Sequence, residues 1–305
     1  MSITLRPLDN GILESGVKHR FVFAHQDDDL GYSGLLQRIR PDSKVLWVTN
    51  GDGLAPMAGI EPLRYASMRN EEASAALGFL GYPRDALHFL GYSEIEMYDD
   101  FVEAEKGKGP IDPNSDLGRR LRARLEKILE ELVSFTADAD VVWVNAWQGG
   151  HPEHDLVHYL TARAVNIHRR SGRDVRFMEL PQYEMLFFVP LRFAPWHKGV
   201  AHVIELDPQE LHRKFLAFGA YKSQKEITEA FKKLLTLYGV INALRLRPFT
   251  FKQYASKEYF GPVPANRDYS RAPHGTDLLE YINEKHEGTK VSFTGAVGRF
   301  IQLME

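Results

Sequence analysis

The 305-residue sequence contains no cysteine. This absence excludes disulfides, iron–sulfur clusters, cysteine-ligated zinc and cysteine nucleophiles. A metal ion in this protein must therefore be bound by histidine, aspartate or glutamate side chains.

Long apolar segments and a charge excess are absent as well. No run of about 18 apolar residues occurs, and no apolar stretch follows a basic start, so we expect no membrane span, no signal peptide and a cytoplasmic location. The 38 Lys and Arg residues against 41 Asp and Glu residues give a net charge of −3. This balance argues against a broad nucleic-acid-binding surface. We expect a small-molecule ligand, and the sequence leaves a homo-oligomer open.

Alternating strand and helix signals dominate the first two thirds of the chain. Short apolar runs rich in Val and Phe predict buried parallel strands. These runs lie at residues 17–25, 43–50, 86–91 and 140–147, with weaker candidates at 176–186 and 202–206. Helical periodicity is found between them, at residues 62–80, 116–135 and 154–168. The alternation predicts an α/β fold with a Rossmann-like, doubly wound, mostly parallel sheet and helices on both faces.

The rest of the chain is mainly helical and then irregular. We predict an α/β core at residues 1–206 and a C-terminal part at residues 207–305 that packs on it as a lid or small subdomain. One polar stretch inside the core, at residues 98–115, is interpreted as a solvated acidic loop. The alternative is that it borders a substrate cleft, where long loops of α/β folds tend to lie.

The strongest chemical signal follows the first strand. His25 is followed by Gln26 and then by the three consecutive carboxylates Asp27, Asp28 and Asp29. Ligands of open α/β sheets bind at the carboxyl ends of the strands, and crowded carboxylates need a cation or hydrogen-bond donors to offset their repulsion. A divalent metal is the simplest such cation. The alternative is a surface turn or a helix start with acidic residues near its positive end.

A second histidine-rich segment, GGHPEHD, follows the strand at residues 140–147. Two strand ends on one edge of the sheet would thus present histidines together. Catalytic zinc is typically held by three protein ligands with one open position, and His25, Asp28 and His154 would form such a set. His158, one turn beyond His154, is interpreted as a core or supporting residue, and Asp155 as a capping or supporting residue.

These segments resemble motifs of the PIG-L/LmbE family of zinc-dependent N-acetylglucosamine deacetylases. HQDDD at residues 25–29 resembles the family's AHPDDE motif, and HPEH at 151–154 resembles its HPDH motif. The helix pattern R-x-x-E-x-x-x-A-x-x-x-L-G at 69–81 and the strand HFLGY at 88–92 also match. The pattern K-x-x-A-x-x-x-Y-x-S-Q at 214–224 resembles a further family signature.

The resemblance spans roughly residues 17 to 225 and implies a zinc-dependent enzyme that removes the acetyl group from an N-acetylglucosamine-type conjugate. It implies that His25, Asp28 and His154 bind one Zn²⁺, with other divalent metals as alternatives. It further implies that Asp27 is the general base and that His151 stabilises the oxyanion.

The sequence departs from the family motifs at three positions. Gln26 replaces Pro, Asp29 replaces Glu and Glu153 replaces Asp. We expect the first and third changes to alter hydrogen bonds around the site. Asp29 is one methylene shorter than Glu, so we expect a contact of that carboxylate to be lost or bridged by water.

Four residues are candidates for substrate binding, each with a structural alternative. Arg69 would reach a hydroxyl or phosphate of the substrate, or pair with Glu72 one turn away. Trp147 would stack on a sugar ring, or belong to the core. Asn50 and Asp52 lie in a glycine-containing segment that allows close approach of a ligand, or forms only a turn.

Two other functions compete with deacetylation. The D-x-D pattern of residues 27–29 is typical of metal-dependent glycosyltransferases, but it explains neither His25 nor the second histidine segment. A carbohydrate-binding protein without turnover would have no use for the base that the resemblance assigns to Asp27. The absence of G-x-G-x-x-G after the first strand argues against a dinucleotide-dependent oxidoreductase.

Overall fold

The computed structural model describes all residues except 1–3, 7–9, 183–189, 195–196, 198, 245–249, 276–279 and 282–283. The strands are β1 (Thr4–Arg6), β2 (His19–Phe23), β3 (Ser43–Thr49), β4 (Leu87–Tyr92), β5 (Val141–Asn145), β6 (Arg176–Leu180), β7 (Val200–Glu205), β8 (Lys257–Pro262), β9 (Lys285–His286) and β10 (Thr289–Lys290). The α-helices are α1 (Ser33–Ile39), α2 (Ala55–Ala58), α3 (Pro62–Phe79), α4 (Glu94–Lys106), α5 (Asp116–Phe135), α6 (Pro152–Arg170), α7 (Pro208–Ala220), α8 (Lys225–Leu244), α9 (Phe251–Ala255) and α10 (Gly298–Met304).

Eight strands form one sheet in the order β1-β7-β8-β6-β5-β2-β3-β4. Strand β8 is antiparallel to both of its neighbours, and the other adjacent pairs are parallel. The predicted α/β fold with a mostly parallel sheet is therefore confirmed. Among the described helices, none is long and apolar enough to cross a membrane.

The alternation of side chains along the strands produces two apolar layers. In β2, Phe21 and Phe23 pack on one face of the sheet and Val22 packs on the other, because successive side chains of a strand point to opposite faces. Helices α4, α5 and α6 contribute to the layer that contains Val22, and α1, α3 and α7 contribute to the opposite layer. Helices cover both faces, as a doubly wound sheet requires.

Most of the predicted elements have a counterpart, with two differences. The candidate strand at 176–186 ends at Leu180, and part of the remainder lies outside the described residues. The interpretation of residues 98–115 as a loop is wrong up to Lys106, because helix α4 covers them. Ser93 caps this helix by accepting from the Glu96 amide, and Phe101 and Ala104 bury its inner face.

The C-terminal part packs on the core by adding a strand to the same sheet. Strand β8 lies between β7 and β6, and its Glu258 accepts hydrogen bonds from the amides of Gly34 and Leu35 in α1. The buried Lys214 of α7 donates to Glu258 at 2.7 Å and to the Gly31 carbonyl at 3.1 Å. The boundary at residue 206 stays a prediction, and β8 joins the two parts across it.

Candidate active site

The two predicted histidine segments meet at one edge of the sheet. Strands β2 and β5 are parallel neighbours, with Val22 paired to Val144. The segments that follow the two strands therefore leave the sheet at the same edge, as expected for parallel strands. Gly149, with a left-handed φ of 69°, lies in the turn that leads into α6.

His25, Asp28 and His154 form a compact buried cluster. The Nε2 atom of His154 lies 3.0 Å from Nδ1 of His25 and 3.1 Å from Oδ1 of Asp28. His25 Nδ1 is 3.8 Å from Oδ2 of Asp28, which also accepts the His25 backbone amide at 2.9 Å. The three side chains that we selected as a ligand set are thus brought together, and their role as ligands stays a prediction.

Two glutamates face the other nitrogen of His25. Glu153 Oε2 lies 2.7 Å from His25 Nε2, and Glu94 Oε1 lies 3.8 Å from it. Glu153 is fully buried and lies in the first turn of α6. The replacement of the family's Asp by Glu thus places a carboxylate against His25, whose ring orientation it fixes.

Charge and burial strongly perturb this cluster. Burial acts to lower the pKa of His25, but the carboxylates of Glu94, Glu153 and Asp28 raise it to about 10. Burial acts to raise the pKa of Asp28, whereas His154 and His25 lower it to about 2. Burial raises the pKa of Glu153 to about 8, against the opposing effect of His25. Crowded buried charges of this kind are typical of functional sites.

The donor set fits a divalent metal ion. Ligand atoms of His25, His151 and His154 lie within 4.8 Å of one another, and the same holds for His25, Glu94 and Glu153. Imidazole nitrogens with carboxylate oxygens are normal zinc ligands. Neither of these two groups includes Asp28, but its carboxylate lies 3.1 Å from His154 Nε2 and 3.8 Å from His25 Nδ1. The cluster could hold zinc through the predicted set, and His151 is an alternative third ligand.

Asp27 points away from the cluster toward a cavity and is held by Arg69. The Arg69 guanidinium donates to Asp27 Oδ1 at 3.0 Å. Arg69 itself is buried, and the expected alternative partner, Glu72, instead accepts from the amide and hydroxyl of Ser223. Arg69 therefore orients Asp27, a contact that the spacing along α3 did not reveal.

His151 contacts a tyrosine from α4. The Tyr98 hydroxyl donates to Glu284 Oε2 and lies 3.3 Å from His151 Nε2. The Tyr98 hydroxyl has a single proton, which it donates in the hydrogen bond to Glu284. Its oxygen therefore accepts a hydrogen bond from the Nε2–H of His151. The other nitrogen, Nδ1, is buried and has no hydrogen-bond partner among the described residues. Burial, together with His25 and His154, holds the pKa of His151 well below its usual value.

A cavity of about 570 Å³ opens beside these residues. Its polar lining includes His25, Asp27, Arg69, Glu94 and His151. Tyr98, at the start of the polar stretch after β4, also lines the cavity, and the interpretation of that stretch as the border of a substrate cleft stays a prediction.

The other candidates for substrate binding lie outside this cavity lining. Asp52 is buried, and its carboxylate accepts from the Glu94 amide at the start of α4 and from the Asn50 side chain. Trp147 packs in the core against Tyr269 and Phe293, with ring centroids 5.1 and 5.7 Å away. Both placements correspond to the structural alternatives, and a direct role in substrate binding stays a prediction.

Two departures from the family motifs have clear contacts. Gln26 donates from Nε2 to the Thr49 carbonyl at 2.8 Å and to the Asn70 side chain at 3.0 Å. Asp29 is fully buried and its Oδ1 accepts from the Tyr221 hydroxyl at 2.6 Å, whereas Oδ2 has no hydrogen-bond partner among the described residues. The expected loss of a contact by the shorter carboxylate stays a prediction. Asp29 contacts Tyr221, whereas Asp27 lines the cavity.

Asp155 and His158 support the fold, as we expected. Asp155 accepts from the amides of Gln148 and Gly149 and from the Tyr281 hydroxyl. His158 Nδ1 lies 2.7 Å from the Asn145 carbonyl. Both side chains hold the turn between β5 and α6.

Sequence reasoning missed three residues of the site, namely Glu94, Tyr98 and Glu284. Glu94 directly follows Ser93 after β4, so the strand-end argument used for His25 could have found it. Tyr98 could have been predicted as a site residue only if α4 had been recognised as a helix. No signal in the sequence pointed to Glu284, which approaches from the far end of the chain.

Known proteins resemble this chain in sequence and in fold. Residues 20–165 match the PIG-L family model, described as GlcNAc-PI de-N-acetylase. No protein of curated function matches the sequence. A solved deacetylase–bog complex from the biosynthesis pathway of teicoplanin is 18% identical with a TM-score of 0.54, over 83% of this chain and 100% of that chain. N,N'-diacetylchitobiose deacetylase from Pyrococcus horikoshii is 16% identical with a TM-score of 0.47, over 84% of this chain and 88% of that chain. The first of these similarities supports the fold.

Proposed function

Because residues 20–165 belong to the PIG-L family, we propose that the protein is a metal-dependent hydrolase that removes the N-acetyl group from an N-acetylglucosamine-type amino sugar conjugate. The observation that carries this proposal is the buried cluster of His25, Asp28 and His154 next to the cavity-lining carboxylate of Asp27. A metal site beside a base is the arrangement that amide hydrolysis requires.

One zinc ion is the proposed cofactor, held by His25, Asp28 and His154. When bound, zinc supplies Lewis acidity and lowers the pKa of water to about 7. Glu153 orients the His25 ring through the contact at Nε2. The backbone amide of His25, which donates to Asp28, fixes that carboxylate.

Asp27 is the proposed general base. It accepts a proton from the attacking water as the oxygen bonds to the amide carbon, and it passes a proton to the nitrogen as the C–N bond breaks. The products are acetate and a free amine. Arg69 holds one carboxylate oxygen of Asp27, which restricts the side chain to one orientation and leaves it at the cavity surface.

His151 is the proposed donor to the oxyanion. Its Nε2–H is bound by Tyr98, which in turn donates to Glu284. This contact leaves Nδ1 as the atom for the reacting carbonyl oxygen, once the ring carries a second proton. Burial, His25 and His154 lower the pKa of His151, and the nearest carboxylate on the Nε2 side is Glu284, whose Oε1 lies 4.0 Å away. One oxyanion donor is typically worth about 10²–10³ in rate.

The proposal is tested by screening N-acetylated amino sugar conjugates with purified zinc-loaded protein and detecting released acetate and free amine. Asp27→Asn is the control, because it is nearly isosteric but cannot accept the proton. Zinc-dependent release by the wild type and its loss in Asp27→Asn would support the proposal. Release that persists after zinc is removed, or in Asp27→Asn, would refute it.

A further inference from the structure

The loop that carries His151 is held by a segment near the C-terminus. This loop consists of residues 146–151, between β5 and α6, and we refer to it as the His151 loop. Tyr281 donates its backbone amide to the Gly149 carbonyl at 2.8 Å. A methyl group added at the Cα of Gly149 would overlap the Glu280 carboxylate. The loop and the C-terminal segment are therefore in direct contact.

A second contact joins the same two segments through Asp155. The Tyr281 hydroxyl donates to Asp155 Oδ2 at 2.8 Å. The same carboxylate accepts the backbone amide of Gln148 on Oδ1 and that of Gly149 on Oδ2, each at 3.1 Å. Tyr281 and Asp155 are both completely buried, where a polar group needs hydrogen-bond partners. Tyr281 thus fixes Asp155, and Asp155 fixes the His151 loop.

Tyr281 adopts a backbone conformation that large residues rarely occupy. Its φ of 49° lies in the left-handed region, which is unfavourable for a bulky side chain and persists only where the surrounding contacts fix it. Three residues further on, Glu284 donates its amide to the Tyr281 carbonyl at 2.9 Å and accepts from Tyr98, which contacts His151. One short segment thus reaches the His151 loop directly at Gly149 and, through Tyr98, at His151.

We propose that Tyr281 is a positioning residue that sets the place of His151 through Asp155 and Gly149. This inference rests on the proposed function, in which His151 donates to the oxyanion. His151 follows Gly149 by two residues, so a shift of the Gly149 backbone moves the imidazole relative to the reacting carbonyl. Neither Tyr281 nor Asp155 is among the described residues that line the cavity. Tyr281 therefore acts through the loop and not on the substrate.

The test compares Tyr281→Phe with Tyr82→Phe as a matched control. Tyr82 is also buried, and its hydroxyl donates to the Leu36 carbonyl and contacts Ser43. Ser43 starts β3 and pairs with His19 at the start of β2, so this hydroxyl lies at the opposite edge of the sheet from the site. The kcat, the KM and the zinc content are measured on the best N-acetylated substrate.

We expect kcat of Tyr281→Phe to fall about 10- to 100-fold, because misplacement of a group by about 1 Å can cost about 10² in rate. Its KM and zinc content should change little. Tyr82→Phe should keep the kcat of the wild type, although it also loses a buried hydroxyl. The split between kcat and KM thus distinguishes positioning from a general loss of stability.

Asp155→Asn tests the route from Tyr281 to the loop. Asparagine keeps the shape of the side chain but offers one accepting oxygen where the carboxylate uses two. If Tyr281 acts through Asp155, the effects of the two substitutions on kcat should not add. The double variant should then be about as slow as Asp155→Asn alone. Additive effects would overturn the inference, because the two residues would act independently.

A measurement on the free protein separates this inference from the proposed function. The nitrogen NMR signals of the His151 ring, assigned from His151→Ala, should shift in Tyr281→Phe and stay in place in Tyr82→Phe. This shift is expected even if no conjugate is hydrolysed, an outcome that would count against the function alone. Unmoved His151 signals, or a kcat equal to that of Tyr82→Phe, would overturn the inference. Loss of zinc from Tyr281→Phe would also overturn it, because the effect would then lie on His154, next to Asp155.

Discussion

Removal of the Tyr98 hydroxyl should slow catalysis without removing the metal. In Tyr98→Phe the ring keeps its contact with Phe101, whose ring centroid is 5.7 Å away. The variant loses the hydroxyl that lies 3.3 Å from His151 Nε2 and donates to Glu284. His151 then has no anchor at Nε2 and no coupling to the Glu284 carboxylate. We expect kcat to fall, because the proposed oxyanion donor is no longer oriented.

The size of this effect follows from the bonds that are lost. A hydrogen bond that involves a charged group contributes about 1.5–3 kcal/mol, and each ~1.4 kcal/mol corresponds to a factor of ten in rate. We therefore expect a loss of about 10- to 100-fold in kcat. The KM should change less, because the hydroxyl acts through His151 in the transition state rather than on the bound sugar.

The assay measures kcat and KM separately on the best N-acetylated substrate, together with the zinc content. Tyr159→Phe is the control, since its hydroxyl contacts Arg163 on α6, away from the cavity. In the wild type, nitrogen NMR of His151 should show a proton on Nε2, as donation to Tyr98 requires. An unchanged kcat in Tyr98→Phe, or a proton found only on Nδ1, would refute the reasoning. Loss of zinc would instead identify His151 as a ligand.

The other predictions concern the metal, the base, the oxyanion donor and the buried ion pair. His154→Ala should lose stoichiometric zinc in metal analysis after dialysis, and retention of zinc would refute the ligand assignment. Asp27→Asn should keep its zinc but lose about 10²–10⁴ in kcat, the usual contribution of a general base. His151→Ala should lose about 10²–10³ in kcat with its zinc content intact. Lys214→Met should lower the free energy of unfolding in urea by about 3–5 kcal/mol, because it leaves the buried Glu258 carboxylate without its cation; adding Glu258→Gln should recover part of this loss.

The juxtaposition of His25, Asp28 and His154 was predictable because it depends on strong local signals. The apolar runs of β2 and β5 are completely buried, which makes them easy to recognise as parallel strands. Parallel strands deliver the segments that follow them to one edge of the sheet. The position of a residue relative to its strand was therefore sufficient to place these side chains together.

The remaining parts of the site depend on contacts that no local pattern encodes. Helix α4 is rich in acidic residues, which made the segment resemble a solvated loop. The helical spacing of its few apolar residues, such as the buried Phe101, was therefore not recognised. Glu284 reaches Tyr98 across 186 residues of sequence. The helical spacing of Arg69 favoured an ion pair with Glu72. In the folded protein, tertiary packing instead brings its guanidinium to Asp27, to which it donates a hydrogen bond. Such hydrogen-bond partners depend on how segments distant in sequence pack together in the folded protein.

Strand β8 has a consequence for the order in which the chain can fold. Strands β1 and β7 join the rest of the sheet through β8, which ends at Pro262. During synthesis, the first 206 residues emerge with β6 and β7 unpaired on the sides that β8 later fills. Unpaired edges promote association between chains, so a fragment that ends at the predicted boundary would aggregate. Residues up to Pro262 must therefore be synthesised before the sheet can close.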